Sequence, residues 1–142
     1  MTTNFRLSAE PEASPKDEQL LRDRVAQWNV DVTGHRDYAP ATFFIRDEDG
    51  TIRGGVLSYV WGRRLHVDIL WIDEDLRGSG WGTKLIEAAH TEGRSKGAIA
   101  AYLDTFDWQA RPFYERLGYK VVAEVTEVPE GHARFYMLKS PL

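Results

Sequence analysis

The chain has 142 residues, enough for one domain with a proper core, with 42% hydrophobic and 12% aromatic residues and a formal net charge of −4. That charge sets aside a nucleic-acid or anionic-membrane surface, and no apolar run reaches membrane-spanning length. The absence of cysteine removes disulfides, thiol nucleophiles and thiolate metal sites together.

The polar residues 1–14, with Arg6, Glu10 and Glu12, read as neither a signal peptide nor a membrane anchor, so a cytoplasmic protein is expected. Ser14, Pro15 and Asp17 then mark a helix start: a cap, a first-turn proline and a carboxylate at the capping-box position. Leu21, Val25 and Trp28 form its apolar face, and the helix is expected to end near Asn29. A loop containing Gly34 and Pro40 leads to a hairpin of strands 42–46 and 51–61 around Asp47-Glu48-Asp49-Gly50, with Gly54-Gly55 as the expected bulge. Gly62-Arg63 turns into a strand over 65–72, where alternation puts His66, Asp68, Leu70 and Ile72 on one face. Arg77-Gly78-Ser79-Gly80-Trp81-Gly82 follows and opens an amphipathic helix over about 80–95, with Trp81, Leu85, Ala88 and Ala89 inward. Residues 98–103 make a continuous apolar strand, parallel to 65–72 because a helix crosses between them. Ala110, Phe113, Tyr114 and Leu117 recur at helical spacing, and Gly118 is placed as a left-handed cap. Strands 119–128 and 132–138 close the chain around Pro129-Glu130-Gly131.

Strand, glycine-rich turn and helix start together suit an anion. The glycines let backbone N–H groups converge on it, the helix dipole adds positive potential, and Arg77 adds a fixed charge. A P-loop would close on Gly-Lys-Ser/Thr, whereas the order here is Gly82-Thr83-Lys84. A dinucleotide fingerprint counted from Gly78 or Gly80 finds Thr83 or Leu85 where its last glycine belongs. The remaining pattern, R-x-x-G-x-G, resembles the pyrophosphate loop of the GNAT superfamily of acyl-CoA-dependent N-acyltransferases. Residues 104–119 resemble the carboxy-terminal motif of the same superfamily, a Phe-Tyr-Glu helix ending at Leu-Gly-Tyr. Asp104-Thr105-Phe106, Gln109-Ala110 and Gly131-His132 are similar to one branch of it, and the resemblance runs from about residue 14 to 139.

The resemblance implies an α/β (mixed α+β), GNAT-like fold in a single domain over 1–142. Its central sheet is mixed and mostly antiparallel, two parallel strands splay apart, and helices cover both faces. It implies an N-acetyltransferase moving an acetyl group from acetyl-CoA, as acyl-donor co-substrate, to a primary amine of a small molecule or peptide by direct attack in a ternary complex. The cofactor residues carried over are Leu70, Trp71 and Ile72, whose backbone would meet the pantetheine arm and thioester carbonyl, with Arg77, Gly78, Ser79, Gly80, Trp81, Gly82 and Thr83 around the pyrophosphate. Tyr114 is implied as the acid that protonates the departing thiolate, since a phenol is neutral at pH 7. The base that deprotonates the amine is His66, Asp68, Asp104 or a water chain.

Trp28, Asn29, Tyr38, Trp61, Asp107 and His132 are the candidate substrate-lining residues beside Asp68 and Asp104, because carboxylates among aromatics suit a cationic amine. Asp107 stands where many relatives carry an asparagine that contacts the cofactor, and its charge fits a helix-capping role better. The histidines at 35, 66, 90 and 132 have no i, i+4 pairing, so no metal is expected. Relatives often pair through the final hairpin, so a homodimer through Val121, Val125, Phe135, Tyr136 and Met137 is expected. The alternative reading is a catalytically silent acyl-CoA-binding regulatory module, which needs the glycine loop without a proton relay.

Overall fold

A computed structural model describes residues 2–142. They fall into two compact units that divide between Arg36 and Asp37. In the first, helix α1 (Pro15–Thr33) starts where the Ser14 hydroxyl accepts from the Asp17 N–H at 3.2 Å. It runs four residues past the expected end at Asn29. Nothing in Val30-Asp31-Val32-Thr33 breaks a helix, and the first residue that does is Gly34, in the left-handed region at φ 73°.

The second unit is a seven-stranded sheet with two helices. Its strands are β1 (Ala39–Pro40), β2 (Phe43–Arg46), β3 (Ile52–Trp61), β4 (Arg64–Ile72), β5 (Ala100–Phe106), β6 (Lys120–Thr126) and β7 (Ala133–Lys139). They lie in the order β1-β3-β4-β5-β7-β6, with β2 also on β3. All pairings are antiparallel except β4 with β5, the crossover that the intervening helix α2 (Trp81–Ser95) requires. Helix α3 (Arg111–Arg116) follows β5, and Gly118 ends that turn at φ 94°. The core gathers Val56, Leu65, Ile86, Met137 and Tyr119, all fully buried.

Two register shifts correct the sequence reading. Ile45 pairs with Gly54 and Arg46 with Ile52, so the bulged residue on β3 is Arg53, outside the Gly54-Gly55 pair. The glycines serve close strand approach instead. A Cβ on Gly54 would lie 2.8 Å from the Trp71 carbonyl oxygen, and one on Gly55 would lie 2.8 Å from that of Phe43. On β4, Leu57 faces Ile69 and Ser58 faces Val67, which leaves Asp68 as the extra residue. The bulge inverts the alternation: Leu65 and Val67 are buried before it, while Leu70 and Ile72 pack against the core after it. His66 therefore does not share a face with Leu70 and Ile72, contrary to simple period two.

Helix α2 buries Leu85, Ile86, Ala89, His90 and Gly93, while Trp81 and Ala88 stay partly exposed. His90 is a polar member of this face. Its Nε2 hydrogen-bonds the hydroxyl of buried Tyr119 at 2.6 Å. Burial first, then the charges of Lys139 and Arg94, hold its pKa down from 6.5 to about 4. Between those values the unfolded chain binds a proton that the folded one does not, so stability falls as pH falls from about 6.5 towards 4. Thermal melting across that window is expected to show this loss, and His90→Gln is expected to flatten the slope there.

Candidate active site

The parallel pairing of β4 with β5 covers only Arg64↔Ala100, Leu65↔Ala101 and His66↔Tyr102. Beyond it β4 continues against β3 as far as Ile72, and β5 continues against β7 as far as Phe106. Asp68, the bulged residue, lies two positions past the last parallel pair, where β4 leaves β5. A cleft of about 790 Å³ opens between the two strands. One wall is β4 from Val67 to Ile72 with Arg77, and the other is Leu103, Asp104 and Thr105 of β5. Trp108, Gln109, Ala110, Phe113 and Tyr114 line the end formed by the β5–α3 turn and α3. Among the described residues no strand pairs with the β5-facing edge of β4 here, which leaves room for a bound chain to pair with it.

The glycine loop forms one end of this region. A 3-10 turn, Glu74–Leu76, precedes it and is held by Arg53, whose guanidinium donates to Asp73 at 2.8 Å and to Asp75 at 2.6 Å. Arg53, together with the Trp71 indole N–H, keeps the Asp73 carboxyl below its ordinary pKa. Gly78 and Gly80 sit in the left-handed region at φ 78° and 89°, and a Cβ on either would meet nothing within 4 Å. Gly82 differs: its Cβ would press on Phe113 at 3.2 Å and Ile72 at 3.3 Å, so it keeps α2 close to α3 and β4. Gly80 caps α2, and the first intrahelical bond runs from the Lys84 N–H to the Gly80 carbonyl. The N–H groups of Trp81, Gly82 and Thr83 thus stand at the positive end of a helix with no acidic residue in its first turn. Arg77 donates from Nε to the Ile72 carbonyl at 2.9 Å and lies over the Trp71 ring at 4.9 Å, so its charge is held beside the cleft. Ser79 donates to the Leu76 carbonyl.

Tyr114 is 7% exposed, with its ring edge-on to Phe113 and Tyr119. No protein group hydrogen-bonds its hydroxyl, yet no buried side-chain polar atom among the described residues lacks a partner. The hydroxyl must therefore reach the cleft that Tyr114 lines. Burial first, then the charge of Asp104, pushes its pKa up to about 12. It is a neutral phenol throughout the physiological range.

The carboxylates separate by environment. Asp104 accepts two short contacts from Arg134, Nε at 2.8 Å and Nη2 at 2.7 Å. The Arg134 guanidinium is flanked by Phe106 and Tyr136 at 5.3 Å each. Asp68 makes no salt bridge among the described residues, and its charge reaches Tyr59, whose hydroxyl pKa burial and the neighbouring Tyr102 already raise. His66 lies outside the cleft lining. Its Nδ1 hydrogen-bonds the Tyr59 hydroxyl at 3.0 Å, and its ring stacks on Tyr102 at 4.6 Å.

Asp107 and His132 are brought together at 2.9 Å through Oδ1 and Nδ1, while the other Asp107 oxygen accepts from the Ala133 N–H. Neither lines the cleft, but Trp108, which does, is edge-on to His132 at 4.9 Å. Tyr38 stacks on Tyr59 at 5.1 Å, and Trp61 stands 41% exposed at the end of β3. Trp28 and Asn29 lie in α1, in the other unit, with Trp28 68% exposed.

Sequence reasoning missed Arg134, because its partner Asp104 is thirty positions away and only the β5–β7 register joins them. Trp108, Gln109 and Phe113 fall within the segment 104–119, whose resemblance assigns them no site role, yet all three line the cleft. Gln109 accepts from the Thr105 hydroxyl at 3.0 Å and the Phe106 N–H at 2.9 Å, closing the turn that brings Trp108 to the cleft. No group of three or more His, Asp or Glu side chains among the described residues is placed to hold a metal.

Known proteins share this architecture. Residues 4–119 match the model of the Acetyltransferase (GNAT) family. A blasticidin-S acetyltransferase of Streptomyces morookaense is 38% identical over 93 residues, 65% of this chain and 68% of that one. A crystal structure of an acetyltransferase from Bacillus cereus superposes with a TM-score of 0.79 at 26% identity, covering 94% of this chain and 97% of its own. An aminoglycoside 6'-N-acetyltransferase solved with coenzyme A shares the fold, with a TM-score of 0.62 at 19% identity over 92% of this chain and 93% of that one. By motif, fold and sequence likeness the chain belongs to the acetyltransferase (GNAT) family.

Proposed function

We propose that the protein transfers the acetyl group of acetyl-CoA to a primary amine of a small molecule or peptide, by direct attack while both substrates are bound. The observation that carries this reading is the end of parallel pairing at His66 and Tyr102. It opens one edge of β4 onto a cleft that also receives the Tyr114 hydroxyl. In this reading the pyrophosphate lies on the N–H groups of residues 78–83 beside Arg77, and the pantetheine arm runs along Leu70, Trp71 and Ile72. A β4 N–H hydrogen-bonds the thioester carbonyl and strengthens that bond as the oxyanion develops.

A lysine-like amine with a pKa of about 10.4 arrives protonated, so a base must act before attack. Asp68 suits the task best of the three candidates: it lines the cleft without a cation partner, whereas Asp104 is committed to Arg134 and His66 is committed to Tyr59. Asp104 then acts through its charge, which helps keep Tyr114 protonated. Asp107 and His132, locked to each other, shape the acceptor side through Trp108. Trp28, Asn29, Tyr38 and Trp61 stay acceptor-lining candidates by their expected placement around the cleft alone. A homodimer would draw on Val125 and Tyr136, which are exposed, because Phe135 and Met137 are spent on the core.

The test is an acetyl-CoA assay against an amine panel, including blasticidin S, aminoglycosides, polyamines and peptide amino termini, read by thiol release. The chain has no cysteine, so a thiol reagent reports CoA alone. Amine-dependent thiol release with acetylated product supports the reading. Tight CoA binding with no product from any amine would favour the silent binding module.

A further inference from the structure

A second concavity, of about 630 Å³, lies between the C-terminal half of α2, the end of α3 and the end of β7. Its chemistry differs from that of the cleft. Arg94 comes from α2, Arg116 from α3 and Lys139 from β7, with Glu87 the only carboxylate among the lining residues. None of the three cations is ion-paired among the described residues. Arg94 makes one long contact to the Thr91 hydroxyl at 3.4 Å, and Lys139 donates to the Leu117 carbonyl at 2.7 Å. Gly118, at φ 94°, leaves room for that lysine, since a Cβ there would lie 2.9 Å from the ammonium nitrogen.

The back of the pocket is the imidazole of His90, 5% exposed. Its Nε2 is spent on Tyr119, while Nδ1 has no protein partner. No buried polar side-chain atom is unsatisfied among the described residues, so Nδ1 must face the pocket. The open nitrogen of an otherwise buried imidazole and three cations without ion pairs, from three elements, thus converge on one space. An oxyanion there would select the tautomer in which Tyr119 donates to Nε2 and Nδ1–H donates to the anion. The arginines offer planar forks suited to phosphate oxygens.

We propose that this pocket binds a phosphate-type oxyanion, as carried by a phosphorylated small molecule, at a site separate from the glycine loop. Arg94 stands fourteen residues on from Gly80 along α2, about 20 Å at 1.5 Å per residue. One CoA pyrophosphate cannot serve both places.

The experiment titrates inorganic pyrophosphate into the full chain saturated with CoA, so that the glycine loop is filled. Sodium chloride of matched ionic strength is the control. The His90 imidazole is followed by NMR, with the affinity measured by calorimetry. The expected result is a saturable His90 shift with one site per chain, and an affinity weakened by more than about ten-fold in Arg94→Gln/Arg116→Gln. Both arginines are exposed, so the variant is expected to melt like the parent; Arg116→Gln alone provides a second, milder variant. A His90 signal that moves no more than in chloride, or an affinity unchanged in both variants, would overturn the proposal.

Discussion

Tyr114→Phe is expected to lower turnover by about 10²–10⁴-fold, the range of a lost general acid, while acetyl-CoA affinity stays within a small factor. The two readouts separate because the hydroxyl is needed only as the carbon–sulfur bond breaks, and the glycine loop and β4 edge are untouched. The ring contributes differently from the hydroxyl. It packs edge-on between Phe113 and Tyr119, and phenylalanine keeps both contacts. No protein partner is orphaned by the change, since none bonds the hydroxyl, so the melting temperature is expected to hold. The raised pKa places the loss towards the lower end of the range. A phenol at about 12 gives up its proton reluctantly to a thiolate whose conjugate acid has a pKa of about 8.5. Much of its effect is then a hydrogen bond that strengthens as sulfur gains charge. Turnover with a good amine, measured beside calorimetric acetyl-CoA binding, decides the matter. Wild-type turnover in the variant would mean that solvent supplies the proton and that Tyr114 is a core aromatic.

Gly80→Val is the second large effect, and it falls on binding. At φ 89° a β-branched residue is strained by roughly 1–3 kcal/mol, whatever space surrounds it. The Cβ itself meets nothing within 4 Å, so no core contact is disturbed. Its methyls would occupy the space that a pyrophosphate needs above the first turn of α2. Losing two charge-assisted bonds of about 1.5–3 kcal/mol each implies a CoA affinity at least about 10²-fold weaker. Gly50→Val is the matched control. Gly50 is also left-handed, at φ 82°, in a hairpin turn with open space around it. It carries the strain without the ligand, so comparable melting in the two variants with CoA binding lost only at Gly80 isolates the loop's role. Unchanged CoA binding in a folded Gly80→Val protein would show that the glycine turn does not hold the cofactor.

Legibility followed distance along the chain. The Ser14 cap, the glycine loop and the Gly118 cap are local devices, each set by a few adjacent residues and the backbone angles they permit, and each stands where the pattern puts it. The parallel pair was legible too, because a helix between two strands leaves no short antiparallel route. The face of β4 was misjudged because period two holds only while every residue is paired. One extra residue, Asp68, turns the second half of the strand over.

From the sequence alone come the glycine loop, the Tyr114 helix, the parallel run of the two strands flanking α2 and the absence of any thiol, all properties of short segments or of composition. Only the tertiary structure decided which carboxylate stands without a cation partner. Arg134 reaches Asp104 across the β5–β7 register, Tyr59 holds His66 across β3 and β4, and Asp68 is left at the bulge where β4 and β5 part. The physical reason is that a side chain's charge state and partners depend on what the folded sheet sets beside it, and strand register is a property of the whole sheet rather than of any one strand.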